Sequence, residues 1–589
     1  MKVLLVNPAC LDQRITDQDA LVVPIGLYYL SAQLMAKGIP APILNLAGMS
    51  APQNTGPENR SDIRPGTAAP DPIALFKETT GEQQPDIIGF SVTNPSRINA
   101  AACAAVAREI QPEVLIMFGG PAPTFMADHL FRACPALDLV VKGEGEISVS
   151  KLAAALQTAR RQGDTTRLPE ALNLVEGLII RRSSGFTDTG DAPLVEDLDT
   201  LVHPSRYFRY QHLAMSRGCP GKCTFCGSPK FWGTARVRRH SPAWFFEEIR
   251  TLAAAGVTHF YISDDTFTMD RQAVLDFCGL IIDAGLSITW NAISRVDYID
   301  AELLSAMRRA GCIQISFGVE SGSDLIKKRL GKPVENAKSI EAFTLARNYG
   351  ILPRAYFIYG SPGETDDTID ESIELMMRLA PLSTVFYMLV VFPGTHLYTR
   401  AVQKGLLTDD AWFEDIEDIP WFQLDPEMDF EHVKAFGHRL RQAFVTGLPE
   451  FVSSLELVKD PDLYPFHADF LSRLALTFSH GEYAEHPGVD KPEIIAAELF
   501  KKALTYGHDP RAYLGLAMLH QKQRQFRDAV TVLKDGLAQF PTHKDLNTCM
   551  GVCLMNLGDF STALDHFTPF DNDPGLSHYI SICKQKTNA

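Results

Sequence analysis

A chain of 589 residues is too long for one hydrophobic core, and its length predicts about three or four domains. The composition, 46% apolar and 21% charged, is that of folded globular proteins and excludes a largely disordered chain. The formal net charge of −16 provides no overall attraction to phosphate backbones, so nucleic acid is not an expected partner.

The distribution of apolar residues and cysteines predicts a cytoplasmic protein without a membrane span. No run reaches the roughly 18 apolar residues that a membrane-spanning helix requires. The first residues lack the length and cleavage site of a signal peptide. The eleven cysteines are too sparse for a disulfide scaffold, and the crowding of three of them favours a metal site in a reducing compartment.

Residues 1–160 alternate short apolar runs with helical patterns, beginning with KVLLVN and PIGLYYLSAQLMAKG. This alternation predicts an α/β fold, a doubly wound (Rossmann-like) domain whose parallel sheet carries helices on both faces. Residues 161–210 contain the polar stretches RRQGDTTR and RRSSGFTDTG around LVEGLIIRR. We expect a linker with a small strand pair there.

The alternation resumes over residues 211–406, where six strand patterns are each followed by a helical stretch. Six βα units with right-handed crossovers predict a (β/α)6 partial TIM barrel, whose functional loops lie at the C-terminal strand ends. Residues 407–489 are mostly helical. Their stretch TDDAWFEDIEDIPWFQLDPEMDFE contains no Lys or Arg, and it is either a lid over the barrel mouth or a solvated connector.

The last hundred residues repeat at steps of 33 and 34 residues, which is the spacing of tetratricopeptide helical hairpins. The repeated positions are Ala496, Phe500, Ala503 and Pro510, then Ala529, Leu533, Gly536 and Pro541, then Ala563 and Phe567. The period predicts a C-terminal α-helical repeat domain over 490–589 that presents a surface to a protein partner. A generic helical bundle is the alternative.

The segment AMSRGCPGKCTFCGSPKFWG places Cys219, Cys223 and Cys226 in one loop with the spacing CxxxCxxC. Three thiolates can hold a 4Fe–4S cluster and leave one iron open, whereas structural zinc normally takes four protein ligands. Two alternatives are a zinc site that recruits His240 and a redox disulfide. The spacing is uncommon for zinc, and His240 lies far along the chain, so the cluster is favoured.

These residues resemble the radical S-adenosylmethionine (SAM) superfamily, in which the methionyl group of SAM chelates the open iron. The resemblance implies that Phe225 lies near the adenine and that the segments YISDDTFT, NAISR, FGVESGS and GSPGET surround SAM. The further cofactor-binding residues that it implies are Asp264, Asp265, Ser294, Arg295, Glu320, Ser321 and Gly360. Many members have Gly-Gly-Glu where this chain has SDD, which leaves the contact with the methionyl amine open.

The residues themselves allow other roles at several of these positions. Asp264 and Asp265 are also typical of residues that cap the following helix. Arg295 and Glu320 are equally typical of ordinary ion pairs. The position of Arg295 at the end of a predicted barrel strand favours ligand contact.

Small residues follow the strand patterns of the N-terminal domain in SVTNPS, FGGPAPT and VVKGEGE, where a bulky ligand can approach the backbone. These segments resemble the cobalamin-binding domain that precedes the barrel in one large radical SAM subclass. The cofactor-binding residues that the resemblance implies are Ser91, Thr93, Gly119, Gly120, Gly143 and Glu144. No histidine precedes His129, so no axial imidazole can come from the loop after the first strand. A domain that has lost its cofactor and serves as a scaffold is the alternative.

The resemblance implies a C-methyltransferase that uses a 4Fe–4S cluster, SAM and cobalamin, and that transfers a methyl group via methylcobalamin to an unactivated carbon. The expected substrate is a small molecule, a lipid or a tetrapyrrole-like compound, and the expected electron donor is a protein such as flavodoxin or ferredoxin. Oxidative cyclisation or ring rearrangement, as in anaerobic magnesium-protoporphyrin ester cyclase, is the alternative reaction. A non-enzymatic alternative is a tetratricopeptide interaction scaffold with an inactive barrel.

Overall fold

The computed structural model describes residues 1–9, 22–47, 71–162, 168–234, 236–412 and 421–587. Within these ranges it contains two mainly parallel sheets followed by a helical C-terminal region. No helix in the described ranges is long and apolar enough to cross a membrane.

The N-terminal sheet has seven strands in the order β2-β1-β3-β4-β5-β6-β7, and the first five strands of that order are parallel. Its strands are β1 Val3–Asn7, β2 Ile43–Asn45, β3 Ile87–Ser91, β4 Leu115–Gly119, β5 Leu139–Val141, β6 Leu178–Arg182 and β7 Gly185–Asp188. Its helices are α1 Ile25–Ala36, α2 Pro72–Gln83, α3 Arg97–Ile110, α4 Pro121–Ala133, α5 Glu146–Gln162 and α6 Leu168–Asn173. Alternate residues of β1 enter two different cores, so this sheet is buried on both faces.

The strand pair expected within 161–210 is β6 and β7, and it belongs to the N-terminal sheet. β6 pairs antiparallel with β5, and β7 pairs antiparallel with β6. A two-residue turn separates these strands, so their pairing is local and extends the edge of the parallel sheet. Residues 163–167 lie outside the described ranges.

The second sheet has six parallel strands in the order β15-β14-β13-β12-β11-β8, which confirms the serial βα pattern. Its strands are β8 His212–Leu213, β11 His259–Ile262, β12 Thr289–Ser294, β13 Cys312–Glu320, β14 Leu352–Tyr359 and β15 Ser383–Met388. Its helices are α7 Ser228–Phe231, α8 Pro242–Ala254, α9 Arg271–Asp283, α10 Ala301–Arg309, α11 Asp324–Arg329, α12 Asn336–Asn348, α13 Asp366–Leu379 and α14 His396–Gln403. Side-chain caps begin several of them, as at Asp270 and Asp300.

A short ribbon separates the first strand of this sheet from the cysteines. β9 Ser216–Arg217 leaves the sheet and pairs antiparallel with β10 Arg238–Arg239. The cysteine loop therefore begins two residues after β9, outside the six-stranded sheet. The same ribbon brings Arg217 opposite Arg238.

The segment after α14 runs from the N-terminal domain to the GSPGET loop. Trp412, in a 3-10 helix over Asp409–Trp412, lies in the hydrophobic core of the N-terminal domain, and its backbone oxygen accepts a hydrogen bond from Arg97 at 3.2 Å. Beyond residues 413–420, which lie outside the described ranges, Asp425 accepts a hydrogen bond from the backbone of Gly363 at 2.8 Å. The described parts of this segment are thus packed against both domains.

The C-terminal region consists of helices that pack against their neighbours in sequence. They are α15 Phe430–Ser453, α16 Tyr464–Ser479, α17 Pro492–Tyr506, α18 Pro510–Lys522, α19 Phe526–Gln539, α20 Lys544–Asn556, α21 Phe560–Phe567 and α22 Ser577–Thr587. The repeated alanines at 496, 529 and 563 lie on α17, α19 and α21, and all three are fully buried. The period therefore marks real packing positions, while the tetratricopeptide assignment stays a prediction.

Candidate functional site

The loop that carries the three cysteines is held by backbone contacts from two other parts of the second domain. Thr224 donates its amide to the oxygen of Leu330 at 2.8 Å, and its own oxygen accepts from Leu397 at 2.8 Å. Gly331, with φ +69°, approaches so closely that a Cβ there would lie 2.5 Å from the oxygen of Lys222. The loop is therefore positioned by the segment after β13 and by α14.

The cysteine side chains lie together and are partly accessible. A Cβ at Gly221 would lie 3.2 Å from the sulfur of Cys219 and 3.8 Å from that of Cys223. Backbone amides donate to two of the sulfurs, from Gly221 to Cys219 and from Ser228 to Cys226, each at 3.4 Å. The amide of Ser228 favours the thiolate form of Cys226, which is the form that binds iron.

The geometry does not support the zinc alternative. Structural zinc needs a fourth protein ligand, and the sequence offered His240 for that role. His240 is buried elsewhere, with its Nε2 3.0 Å from the hydroxyl of Tyr29 and its ring stacked 3.6 Å from Trp244. A four-iron cluster spreads its thiolates over separate corners, so three cysteines on a short loop fit it better.

Positive charges adjoin the cysteines and oppose the effect of their burial. Burial raises the pKa of the Cys223 thiol, and Lys332 and Arg295 lower it. Burial also raises the pKa of Cys226, to about 11. The ammonium of Lys332 pairs with Glu320 at 2.7 Å, and both side chains are less than a tenth exposed. Arg295 pairs with Asp297 at 2.7 Å, which is an ordinary ion pair of the kind that the sequence allowed for it.

The two aspartates after β11 are bonded within the protein rather than at a helix N-terminus. Asp264 accepts from the amide of Met215 at 2.7 Å and from the hydroxyl of Ser216, and burial raises its pKa to about 7. Asp265 accepts from the hydroxyl of Ser228 at 2.7 Å and from the indole of Trp232 at 3.0 Å. The cap of α9 is Asp270, so capping does not explain either residue.

Two of the serines implied by the resemblance are buried behind the site. Ser294 shares a hydrogen bond with the hydroxyl of Thr268. Ser321 is fully buried, 3.1 Å from the hydroxyl of Ser372. Phe225, by contrast, is half-buried on the cysteine loop. The structure thus places Phe225 beside the cysteines and gives both serines partners within the protein core.

The GSPGET loop carries buried polar atoms that have no protein partner in the described ranges. Gly360, with φ +85°, packs on α15, and its amide donates to Glu364 at 2.6 Å. The second carboxylate oxygen of Glu364 and the hydroxyl of Ser361 are buried without a described partner. Burial raises the pKa of Glu364 to about 7. Such atoms fit a loop that is completed by a bound ligand.

The N-terminal domain presents a cleft edge built from small residues. Its strand order reverses direction between β1 and β3, which is the switch point where doubly wound sheets bind ligands. Ser91 and Gly119 end β3 and β4, and Thr93 is exposed. At Gly120, with φ +106°, a Cβ would lie 2.9 Å from the oxygen of Val92. Gly120 therefore allows the turn after β4 to lie close to the backbone that follows β3.

Two residues of the same domain have other surroundings. Gly143, with φ +53°, faces the second domain, since a Cβ there would lie 3.3 Å from the oxygen of Phe231. Glu144 is buried in ion pairs with Arg238 and Arg217. His129 lies within α4, 3.8 Å from Asp409.

Sequence reasoning missed Lys332 and Arg217. Lys332 follows the helix after FGVESGS, and the only sequence signal was the Gly-Lys-Pro turn that ends that helix. Arg217 precedes Cys219 by two residues, but an arginine at that spacing carries no signal of its own. Both are identified by their buried carboxylate partners.

Two family models match successive parts of the chain. The B12 binding domain model matches residues 19–153, and the Radical SAM superfamily model matches residues 213–376. The fold and the site therefore define a class of enzyme in which a cobalamin-binding domain precedes a radical SAM domain.

The similar proteins agree with this class. The chain is 29% identical to an uncharacterized methyltransferase of Pyrococcus horikoshii, over 66% of this chain and 83% of the relative. It is 29% identical to the anaerobic magnesium-protoporphyrin IX monomethyl ester cyclase of Synechocystis, over 70% and 79%. The structure of the radical SAM methyltransferase TsrM from Kitasatospora setae, with cobalamin and a 4Fe–4S cluster bound, matches with a TM-score of 0.58 and 17% identity, covering 85% of this chain and 99% of TsrM. This last likeness is one of fold.

The protein is a radical SAM enzyme, and its cofactors are a 4Fe–4S cluster, SAM and cobalamin.

Proposed function

We propose that the protein is a C-methyltransferase that transfers a methyl group from SAM, by way of cobalamin, to an unactivated carbon. The observation that carries the proposal is the direct contact between the two cofactor domains at the cysteine loop. A Cβ at Gly227, next to Cys226, would lie 3.6 Å from the ring of Phe125 on α4. The glycine-rich edge after β4 and the cysteine loop therefore adjoin one interface, as a reaction that uses both cofactors on one substrate requires.

Cys219, Cys223 and Cys226 would hold the cluster, and the edge formed by Ser91, Thr93, Gly119 and Gly120 would receive cobalamin. When bound, SAM and the cluster supply a radical that removes a hydrogen atom, and cobalamin supplies the methyl group. The protein groups orient these cofactors and exclude water from them.

Charged and polar groups around the cysteines would hold SAM. Arg295 and Lys332 provide cations beside the cysteines, and these are suited to the methionyl carboxylate. Glu320, the unpartnered oxygen of Glu364 and the half-buried Phe225 provide acceptors and a ring face for the ribose and adenine. Asp264 and Asp265 act indirectly, by fixing the chain on either side of the cysteine loop.

The proposal also includes an electron donor, a class of substrate and a protein partner. We expect a low-potential donor such as flavodoxin or ferredoxin to reduce the cluster, and a small-molecule, lipid or tetrapyrrole-like substrate. The C-terminal helices, which we propose to be tetratricopeptide-like repeats over 490–589, are a candidate surface for a protein partner. We also propose that the second sheet curves into a partial barrel and that the segment after residue 407 closes its mouth.

Isotope transfer tests methylation directly. A methyltransferase consumes SAM in two ways, so turnover should yield both S-adenosylhomocysteine and deoxyadenosine. With SAM that carries a trideuterated methyl group, all three deuteria should enter the product, as measured by mass spectrometry. Oxidative cyclisation, which a relative's name also suggests, needs only the radical. Product formed with deoxyadenosine, but with neither S-adenosylhomocysteine nor deuterium in the product, would contradict methylation and favour cyclisation.

A further inference from the structure

Four charged side chains are buried where the two cofactor domains meet. Glu144 and Glu146 come from the N-terminal domain, just after β5 and at the start of α5. Arg217 and Arg238 come from the ribbon that precedes and follows the cysteine loop. None of the four side chains is more than 9% exposed. This cluster is separate from the groups proposed to contact SAM.

Arg217 is bonded on several sides at once. Its guanidinium lies 2.7 Å from Glu146 and 3.4 Å from Glu144. It also lies over the ring of Tyr29 on α1, 5.1 Å from the ring centre. Glu144 is in turn paired with Arg238, whose Nη1 donates to the Glu144 carboxylate at 3.0 Å. A rigid guanidinium with this many partners has one favourable position, and a lysine could not make the same contacts.

The same guanidinium is connected to both ends of the cysteine loop. Arg217 precedes Cys219 by two residues. On the other side it lies 5.7 Å from the ring centre of Trp232, whose indole donates to Asp265. Asp265 accepts from Ser228 as well, two residues after Cys226. A shift of the N-terminal domain would therefore be transmitted to both flanks of the cysteines.

We propose that Arg217 is a positioning residue that sets the separation between bound cobalamin and the cluster. Buried ion pairs contribute little net stability, but they specify one arrangement of the groups that they join. Here they join the loop after β5 to the cysteine loop. The inference rests on the assignment of the cluster to Cys219, Cys223 and Cys226.

A magnetic measurement tests this separation without a substrate. The protein is reconstituted with iron, sulfide and cobalamin, and both centres are reduced to paramagnetic states. Their dipolar interaction, measured by electron paramagnetic resonance, falls with the cube of the distance. We expect Glu146→Gln and Arg217→Lys to keep their iron and cobalamin but to shift or broaden this interaction.

Arg236→Gln is the matched control. Arg236 lies on the same ribbon segment, but its partner Glu196 is 2.8 Å away in solvent, and both side chains are about two-thirds exposed. Its interaction spectrum should equal that of the wild type.

An unchanged spectrum in both test variants would overturn the proposal. So would a wild-type protein that holds both cofactors without any interaction. A wild-type protein without a cluster would instead refute the cysteine assignment. If Glu146→Gln loses its cluster, Arg217→Lys, which keeps the positive charge, decides the question in the same way.

Discussion

Gly331 shows how a single residue outside the cysteine loop holds it in place. Its φ of +69° is accessible to glycine but strained for other residues, and the oxygen of Lys222 occupies the space of a Cβ. The neighbouring Leu330 accepts the amide of Thr224 at the centre of the loop. The position of the cysteines therefore depends on the absence of one side chain.

Gly331→Ala should lower the iron content of the reconstituted protein, because the new methyl group displaces the loop. Gly285→Ala is the control, since Gly285 has φ +59° but no atom within 4 Å of a Cβ. Both variants should lose about 1–2 kcal/mol of stability from backbone strain. Iron per protein, measured colorimetrically, should fall only in Gly331→Ala. Equal iron contents in both variants would show that this contact does not position the loop.

At the scale of elements, the helical C-terminal region is not a detached module. α16 packs against α17, and Arg308 at the end of α10 binds Asp469 of α16 at 2.6 Å. His467 and Tyr483 contact the chain just before β14 and β15. These contacts lie at the N-terminal ends of the strands, opposite the ends that carry the site. Buried residues of α17 and α18 also belong to the core of the second sheet.

Truncations at two positions should therefore differ. Removing residues 490–589 would expose the face of α16 that α17 covers, and we expect a large loss of soluble, cluster-binding protein. Removing residues 542–589 takes away mainly helices of a separate core, and iron content should stay close to that of the full chain. The iron content and the thermal unfolding temperature of both truncated proteins test this difference. Iron content close to that of the full chain in both truncated proteins would show that α17 does not stabilise the second domain.

At the scale of the whole molecule, the interface between the cofactor domains covers the cysteine loop. Phe125 from the N-terminal domain occupies the space beside Gly227 and Gly394. Gly394 has φ +91°, and a Cβ there would collide with the Phe125 ring. The close approach of the two domains thus depends on a ring from one and glycines from the other.

Phe125→Ala should open this interface and expose the cluster to solvent. We expect iron to be lost to a chelator several times faster than in the wild type, with little change in the initial iron content. Phe430→Ala is the control, because the ring of Phe430 is 42% exposed and its contact is with Trp421. The loss of the cluster to the chelator is monitored as a decrease in visible absorbance. A rate equal to that of the control would contradict a protective role of Phe125.

The local patterns of the sequence were sufficient for the parallel strands, and the resemblance of its motifs to known families was sufficient for the cofactors. Alternating apolar runs have the period of their elements, and CxxxCxxC is itself a ligand set, so neither depends on distant contacts. The 33-residue period likewise marked positions that are buried in α17, α19 and α21. The assignment of individual residues to SAM or cobalamin remains a prediction.

Only the tertiary structure decided which polar residues face the site and which join the domains. Glu144 was expected at the cofactor edge but is paired with Arg238, and Lys332 was not singled out although it adjoins Cys223. The partners of such charges lie up to 94 residues away in the chain. A charged residue has the same local sequence whether it meets solvent, a ligand or a buried counter-ion. Its role is set by the packing of distant elements, which the spacing of residues along the chain does not encode.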